Sequence, residues 1–247
     1  MKTLRSLLLI RKVGLSVVSL ATDCGADAVI VDLTGSPGSD DADHLRVDAL
    51  CGMAAAAQAD HTLPRVFALI NDLNSEQADR DLAAIMPSMP AGIVLPGART
   101  GADVQHLGAR LAVLEAQHGL PAGSCAILPM VAQTAASLFG LGSYAGCSPR
   151  LMGLAWSAQD FSAALGAQAD GRTGGAFTLA CQVARSLTLV GARAAGVQPI
   201  DTPFPDLCDE EALARECESA RREGFTGKIA LNVAQVRIIN EIFDRKA

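Results

Sequence analysis

The chain has 247 residues, half of them hydrophobic, and a formal net charge of −6. That length suits one (β/α)8 barrel of roughly 250 residues, and it also allows two smaller domains. The acidic balance, the scattered Lys and Arg and the few aromatics argue against nucleic acid as a partner.

The first apolar run, Leu7–Ile10, is too short for a signal-peptide core or a membrane span. A soluble, cytoplasmic protein without a membrane partner is expected. Leu7–Ile10 reads as the first strand and Leu15–Asp23 as a short helix ended by Gly25. Ala28–Leu33 is nearly all apolar, as a strand buried on both faces should be. A polar loop, Thr34–Asp43, precedes an alanine-rich helix over Val47–Ala59, with Arg46, Val47 and Asp48 on its surface. Arg65–Ile70 is the third strand, and Glu76–Met86 is a helix closed by Pro87. Gly92–Leu95 is the fourth strand, ending at Pro96. Ala102–His118 carries Val104, Leu107, Leu111 and Leu114 on one face and stops at Gly119.

Two further strands, Ile127–Val131 and Leu151–Trp156, are each followed by polar residues and then a helical pattern, the second over Ser157–Leu165. A glycine-rich loop, Gly166–Gly175, leads to a helix over Phe177–Ala195. Val197–Ile200 is strand seven, Asp209–Glu223 a charged helix, Lys228–Leu231 strand eight and Ala234–Phe243 the last helix. Eight strand–helix units without a composition break predict a single (β/α)8 barrel domain over residues 1–247, with an open doubly wound sheet as the alternative. The common glycine-rich nucleotide fingerprints are absent.

Seven cysteines, none in a C-x-x-C pair, read as reduced thiols, with Cys125 and Cys181 inside apolar runs. The four histidines (His44, His61, His106 and His118) fall in predicted helices or loops and read as surface residues. In a parallel barrel the residues just past each strand form the ligand-binding end. Here those after strands five and six are Ala132, Gln133 and Thr134, then Ser157, Ala158, Gln159 and Asp160. Asp160 fits either a helix cap or a ligand-binding carboxylate. Asp32, at the end of strand two, fits a structural hydrogen bond or a substrate contact. Arg11, Lys12 and Arg99 lie near the ends of strands one and four. They read as solvated loop charge or as binders of a phosphate or carboxylate.

Several segments together resemble the HpcH/HpaI aldolase/citrate lyase superfamily, on its citrate lyase β-subunit-like branch. They are RSLLLI (Arg5–Ile10), GADAVIVDL (Gly25–Leu33), NDLNS (Asn71–Ser75) and AGIVLP (Ala91–Pro96). LFGLGSYAGCSPRLMGLAWSAQDF (Leu138–Phe161), IDTPFPD (Ile200–Asp206) and GFTGKIALNVAQVRIINEIF (Gly224–Phe243) complete the set. The resemblance implies a TIM-like barrel, often a trimer or hexamer. It also implies Mg²⁺-dependent cleavage or formation of a carbon–carbon bond in a CoA thioester or a small oxo or hydroxy acid. On the family's pattern Gln133 and Asp160 fall at metal-ligand positions. Asn71 and Gln133 fall in the substrate pocket, with Asp160 and Asp32 as the catalytic candidates.

The chain departs from that pattern in one direction. Strand two ends Asp32–Leu33–Thr34–Gly35 where the family reads D-L-E-D. Leu69 stands for the family's substrate-binding Arg, Gly97 for its Lys, Gln133 for its metal-binding Glu and Asn232 for its His. Gln159 replaces the acid beside Asp160. A site left with one carboxylate is expected to hold Mg²⁺ weakly. Two functions remain open on this basis. One is an enzyme, a carbon–carbon lyase or related acyl-CoA enzyme with a rebuilt site. The other is a non-catalytic barrel, a pseudoenzyme that binds an acyl-CoA, a small carboxylate or a partner.

Overall fold

The short apolar runs become strands of a closed parallel barrel because each is hidden on both faces, one by the barrel interior and one by helices. The computed structural model describes residues 3–11, 24–34, 40–167 and 177–244. The strands are β1 (Ser6–Ile10), β2 (Ala28–Asp32), β3 (Arg65–Leu69), β4 (Gly92–Leu95), β5 (Ala126–Val131), β6 (Gly153–Trp156), β7 (Gln198–Asp201) and β8 (Gly227–Ala230). They pair in sequence order, and β8 returns to β1 through Ser6 opposite Lys228 and Leu7 opposite Ile229. The (β/α)8 expectation is met; the open sheet is not.

Strand alternation divides the apolar residues into two clusters. Leu7, Ala28, Ile30, Phe67, Val94, Leu128, Ile200 and Ile229 fill the interior. Leu8, Val29, Val31, Val66, Ile93, Ile127 and Leu154 face outward, into a layer shared with the helices. Gly92 is required inside, because a Cβ there would run into the Phe67 ring. Between Ile127↔Leu151 and Met130↔Ala155 the β5–β6 register shifts by one residue, so the apolar run Leu151–Trp156 joins the ladder in two steps.

The described helices are α1 (Asp40–Ala59), α2 (Glu76–Ile85), α3 (Gly101–Gln117), α4 (Ala135–Leu138), α5 (Ala158–Ala164), α6 (Leu179–Ala194), α7 (Glu210–Glu223) and α8 (Val233–Phe243). Three differ from expectation. Helix α1 starts at Asp40 rather than Val47; no glycine or proline interrupts residues 40–47, so the helix runs on past its alanine-rich half. Pro87 does not simply stop α2 but opens a 3₁₀ turn, Met86–Ser88. The pattern after β5 yields only the four residues of α4 and a 3₁₀ turn at Leu141–Tyr144, since Gly140 and Gly142 break it. The predicted helix Leu15–Asp23 and most of the Gly166–Gly175 loop lie outside the described residues.

All four histidines are exposed. Cys125, Cys181 and Cys217 are buried, whereas Cys208 is exposed. No described helix is long and apolar enough to cross a membrane.

Candidate active site at the barrel mouth

The C-terminal ends of the strands carry the predicted site residues, and their hydrogen bonds show what each is engaged in. Asp32 closes β2 with the same inward parity as Ala28 and Ile30 and is 9% exposed. One of its oxygens, Oδ1, accepts from the Thr34 amide at 2.8 Å and from the Thr34 hydroxyl at 2.5 Å. The other, Oδ2, lies 3.9 Å from Arg11 Nε, whose side chain is 64% exposed. Asp32 and Arg11 are thus brought together across neighbouring strands. Lys12 lies outside the described residues.

Asn71 follows β3. Its backbone N–H and its Nδ2 both donate to Asp81 Oδ2, at 3.0 and 2.8 Å. Asp81 is buried on α2, so Asn71 ties the strand end to a helix. The side-chain amide also lies 3.4 Å from Leu33 O.

Strands β4, β5 and β6 meet through one side chain. Gln133 Oε1 accepts from the Gly97 amide at 2.5 Å, and its Nε2 donates to Asp160 Oδ2 at 2.7 Å. Ala132, the residue before it, has φ +55°. A left-handed backbone costs a non-glycine residue about 1–2 kcal/mol. That bend is what carries the chain off β5 just ahead of Gln133. Gly140, further along the same loop, sits so close to Arg99 O that no Cβ would fit; the β4 and β5 loops are therefore pressed together. Arg99 itself is exposed, and its backbone amide donates to Asp103.

Asp160 is not the cap of α5. Ser157 is the N-cap, its hydroxyl accepting from the Asp160 amide at 3.2 Å. Asp160 stands in the first turn, where a carboxylate suits the positive end of the helix. Beyond it, Thr202 after β7 accepts from the Ala158 amide, and Asn232 after β8 caps α8.

Among the described residues the mouth therefore contains two separate polar pairs, Asp32–Arg11 and Gln133–Asp160, with Asn71 turned to α2. This donor set does not fit Mg²⁺ as it stands. The ion favours hard oxygens from one or two carboxylates, yet one oxygen of Asp160 is already held by an amide N–H and Gln133 Oε1 by a backbone N–H. No group of three or more His, Cys, Asp or Glu among the described residues could hold a metal ion.

The sequence model of the HpcH/HpaI aldolase/citrate lyase family matches residues 5–233. The chain belongs to this family. The citrate lyase subunit beta of Leuconostoc mesenteroides subsp. cremoris is 27% identical over 224 residues, 89% of this chain and 70% of that protein. The (3S)-malyl-CoA thioesterase of Cereibacter sphaeroides (strain ATCC 17025 / ATH 2.4.3) is 29% identical over 223 residues, 90% of this chain and 71% of that one. The fold superposes on CitE from Mycobacterium tuberculosis, solved in complex with magnesium, acetoacetate and coenzyme A. There the TM-score is 0.75 at 22% identity, covering 99% of this chain and 82% of that one.

Within this HpcH/HpaI family member, three features of the mouth were not read from sequence. The Asp81 anchor had a signal, a carboxylate at a buried position of α2 between Ala78 and Leu82. The Gly97 contact had none, because it is made by a backbone amide. Neither did the φ of Ala132, because alanine normally avoids that conformation.

Proposed function

We propose that this chain is a citrate lyase β-like barrel whose mouth binds an acyl-CoA or a small oxo or hydroxy acid without the family's Mg²⁺-dependent carbon–carbon cleavage. The observation that carries this reading is the Gly97–Gln133–Asp160 chain of hydrogen bonds. A neutral amide spans the ends of β4, β5 and β6 and gives Asp160 a protein donor in place of a cation. The names of the relatives support the ligand class: they act on CoA thioesters or citrate, and a structural neighbour holds acetoacetate and coenzyme A. Arg11, facing Asp32, and the exposed Arg99 are the cations that would meet an anionic group there.

Self-association as a trimer or hexamer belongs to the same reading. Leu179, Val183, Leu187 and Val190 recur at helical spacing on α6, and all are exposed, Leu179 by 76%. An apolar row of that length suits a second copy of the chain.

The test is calorimetry with acetyl-CoA and with acetoacetate, with and without Mg²⁺, beside a turnover assay on malyl-CoA. Saturable, Mg²⁺-independent binding without cleavage is expected. Mg²⁺-dependent cleavage that disappears in Asp160→Ala would establish the enzyme instead.

A further inference from the structure

At the opposite end of the barrel, a cleft of about 480 Å³ opens across the start of β3. Its apolar wall runs from Ala54 and Ala57 on α1, past Val66, to Leu4, Met89 and Pro90. Arg65, the first residue of β3, lines it and is half-buried. The Arg65 guanidinium lies over the Phe67 ring, 5.4 Å from its centroid. It makes no hydrogen bond or ion pair among the described residues.

That is an unusual place to leave a cation. Exposed arginines of this chain, such as Arg80 and Arg237, keep more than half of their side-chain surface in water and still have carboxylate partners. Arg65 is withdrawn from water, and burial pulls its pKa below the usual arginine range. The ring satisfies one face of the guanidinium by cation–π attraction, but its five in-plane N–H donors call for acceptors. The carboxylate that lines the same cleft, Asp27, is committed elsewhere. Arg5 donates to it from Nε and Nη2, both at 2.9 Å. A buried charge is ordinarily paired. Here, among the described residues, the cleft supplies the cation and an apolar wall, and its one carboxylate is already paired with Arg5.

We infer that this cleft is a second small-molecule site, one that takes a carboxylate with a short apolar tail. The carboxylate meets the Arg65 guanidinium through paired N–H donors, and the tail lies along Leu4, Val66 and Met89. A volume of this size falls in the range of pockets that enclose small organic ligands. The strands separate it from the mouth by roughly 15 Å, at about 3.3 Å per residue, so it is independent of whatever the mouth binds.

The experiment is titration of the full chain with hexanoate, with hexan-1-ol and inorganic phosphate in parallel, followed by calorimetry. Hexanoate should bind saturably and more tightly than either control. Arg65→Gln should weaken it by tenfold or more, Arg65→Lys by less, and Asp160→Ala not at all. Absence of saturable hexanoate binding would overturn the inference. So would equal binding of hexanol or tighter binding of phosphate, undiminished affinity in Arg65→Gln, or loss in Asp160→Ala, which would move the ligand to the mouth. Should Arg65→Gln fail to fold, Ala57→Phe fills the cleft from α1 and should abolish binding; binding that survives it contradicts the site.

Discussion

The barrel wall beneath α6 and α7 and the barrel mouth treat charge in opposite ways. In the wall, Lys228 is fully buried and donates to Asp201 at 3.1 Å and to Glu216. Arg185 on α6 reaches the same aspartate and Glu223, and Trp156 Nε1 donates to Asp201 at 2.9 Å. Burial works to lower the Lys228 pKa, but Asp201 and Glu216 outweigh it and hold it above the usual lysine range. For Asp201 burial works upward, and Lys228 and Arg185 outweigh it downward. These charges tie β7 and β8 to each other and to α6 and α7, and α6 to α7. In the mouth the close counterparts are neutral: Asp160 is met by an amide, and Asp32 by the Thr34 hydroxyl and amide, with the exposed Arg11 standing off at 3.9 Å. Charge is thus paired closely where it holds helices on the barrel and sparsely at the candidate site of the mouth.

That contrast can be broken first in the wall. Lys228→Met leaves Asp201 and Glu216 short of a cation, and removing one partner of a buried pair should lower stability by about 3–5 kcal/mol. Urea unfolding measures it, and a small change would mean the network is ornamental. A comparable pair, Arg150 and Glu115, is bidentate, with both oxygens of Glu115 accepting at 2.6 Å. The arginine's hydrogen bonds hold the Glu115 pKa down to about 2 against an ordinary 4.5. A depressed carboxylate stabilises the fold fully above its unfolded pKa and loses that contribution as pH falls. Glu115 should therefore contribute roughly 3 kcal/mol at neutral pH, fading between about pH 4.5 and 2. Glu115→Gln should flatten that part of the acid-unfolding curve.

Smaller effects belong to the surface and the mouth. Val183→Asp with Leu187→Asp should leave folding nearly intact while lowering the mass seen by light scattering to that of a monomer. Ala132→Gly should relieve the left-handed backbone and raise stability by about 1 kcal/mol or less in a thermal melt; a clear loss would show that Ala132 is not strained.

The strands were legible because a strand hidden on both faces must be a short apolar run, and Gly92–Leu95 falls where the pattern placed it. Helix α3 was legible through its apolar face and Gly119. The early start of α1 was not, because residues 40–46 have no apolar period of their own. The site was legible in part. Position past a strand end marked Gln133, Asp160 and Asp32, but position does not reveal engagement. Asn71 turns to Asp81 because a buried helix carboxylate needs a donor, and Gln133 reaches Gly97 through a backbone group that every residue but proline carries.

The most direct test of the central claim is a Mg²⁺ titration by calorimetry of the native chain beside Gln133→Glu. The native protein should show no saturable binding at millimolar Mg²⁺, and binding should appear in Gln133→Glu, where two carboxylates face each other in place of an amide and a carboxylate. Micromolar binding of Mg²⁺ by the native chain, lost in Asp160→Ala, would contradict it.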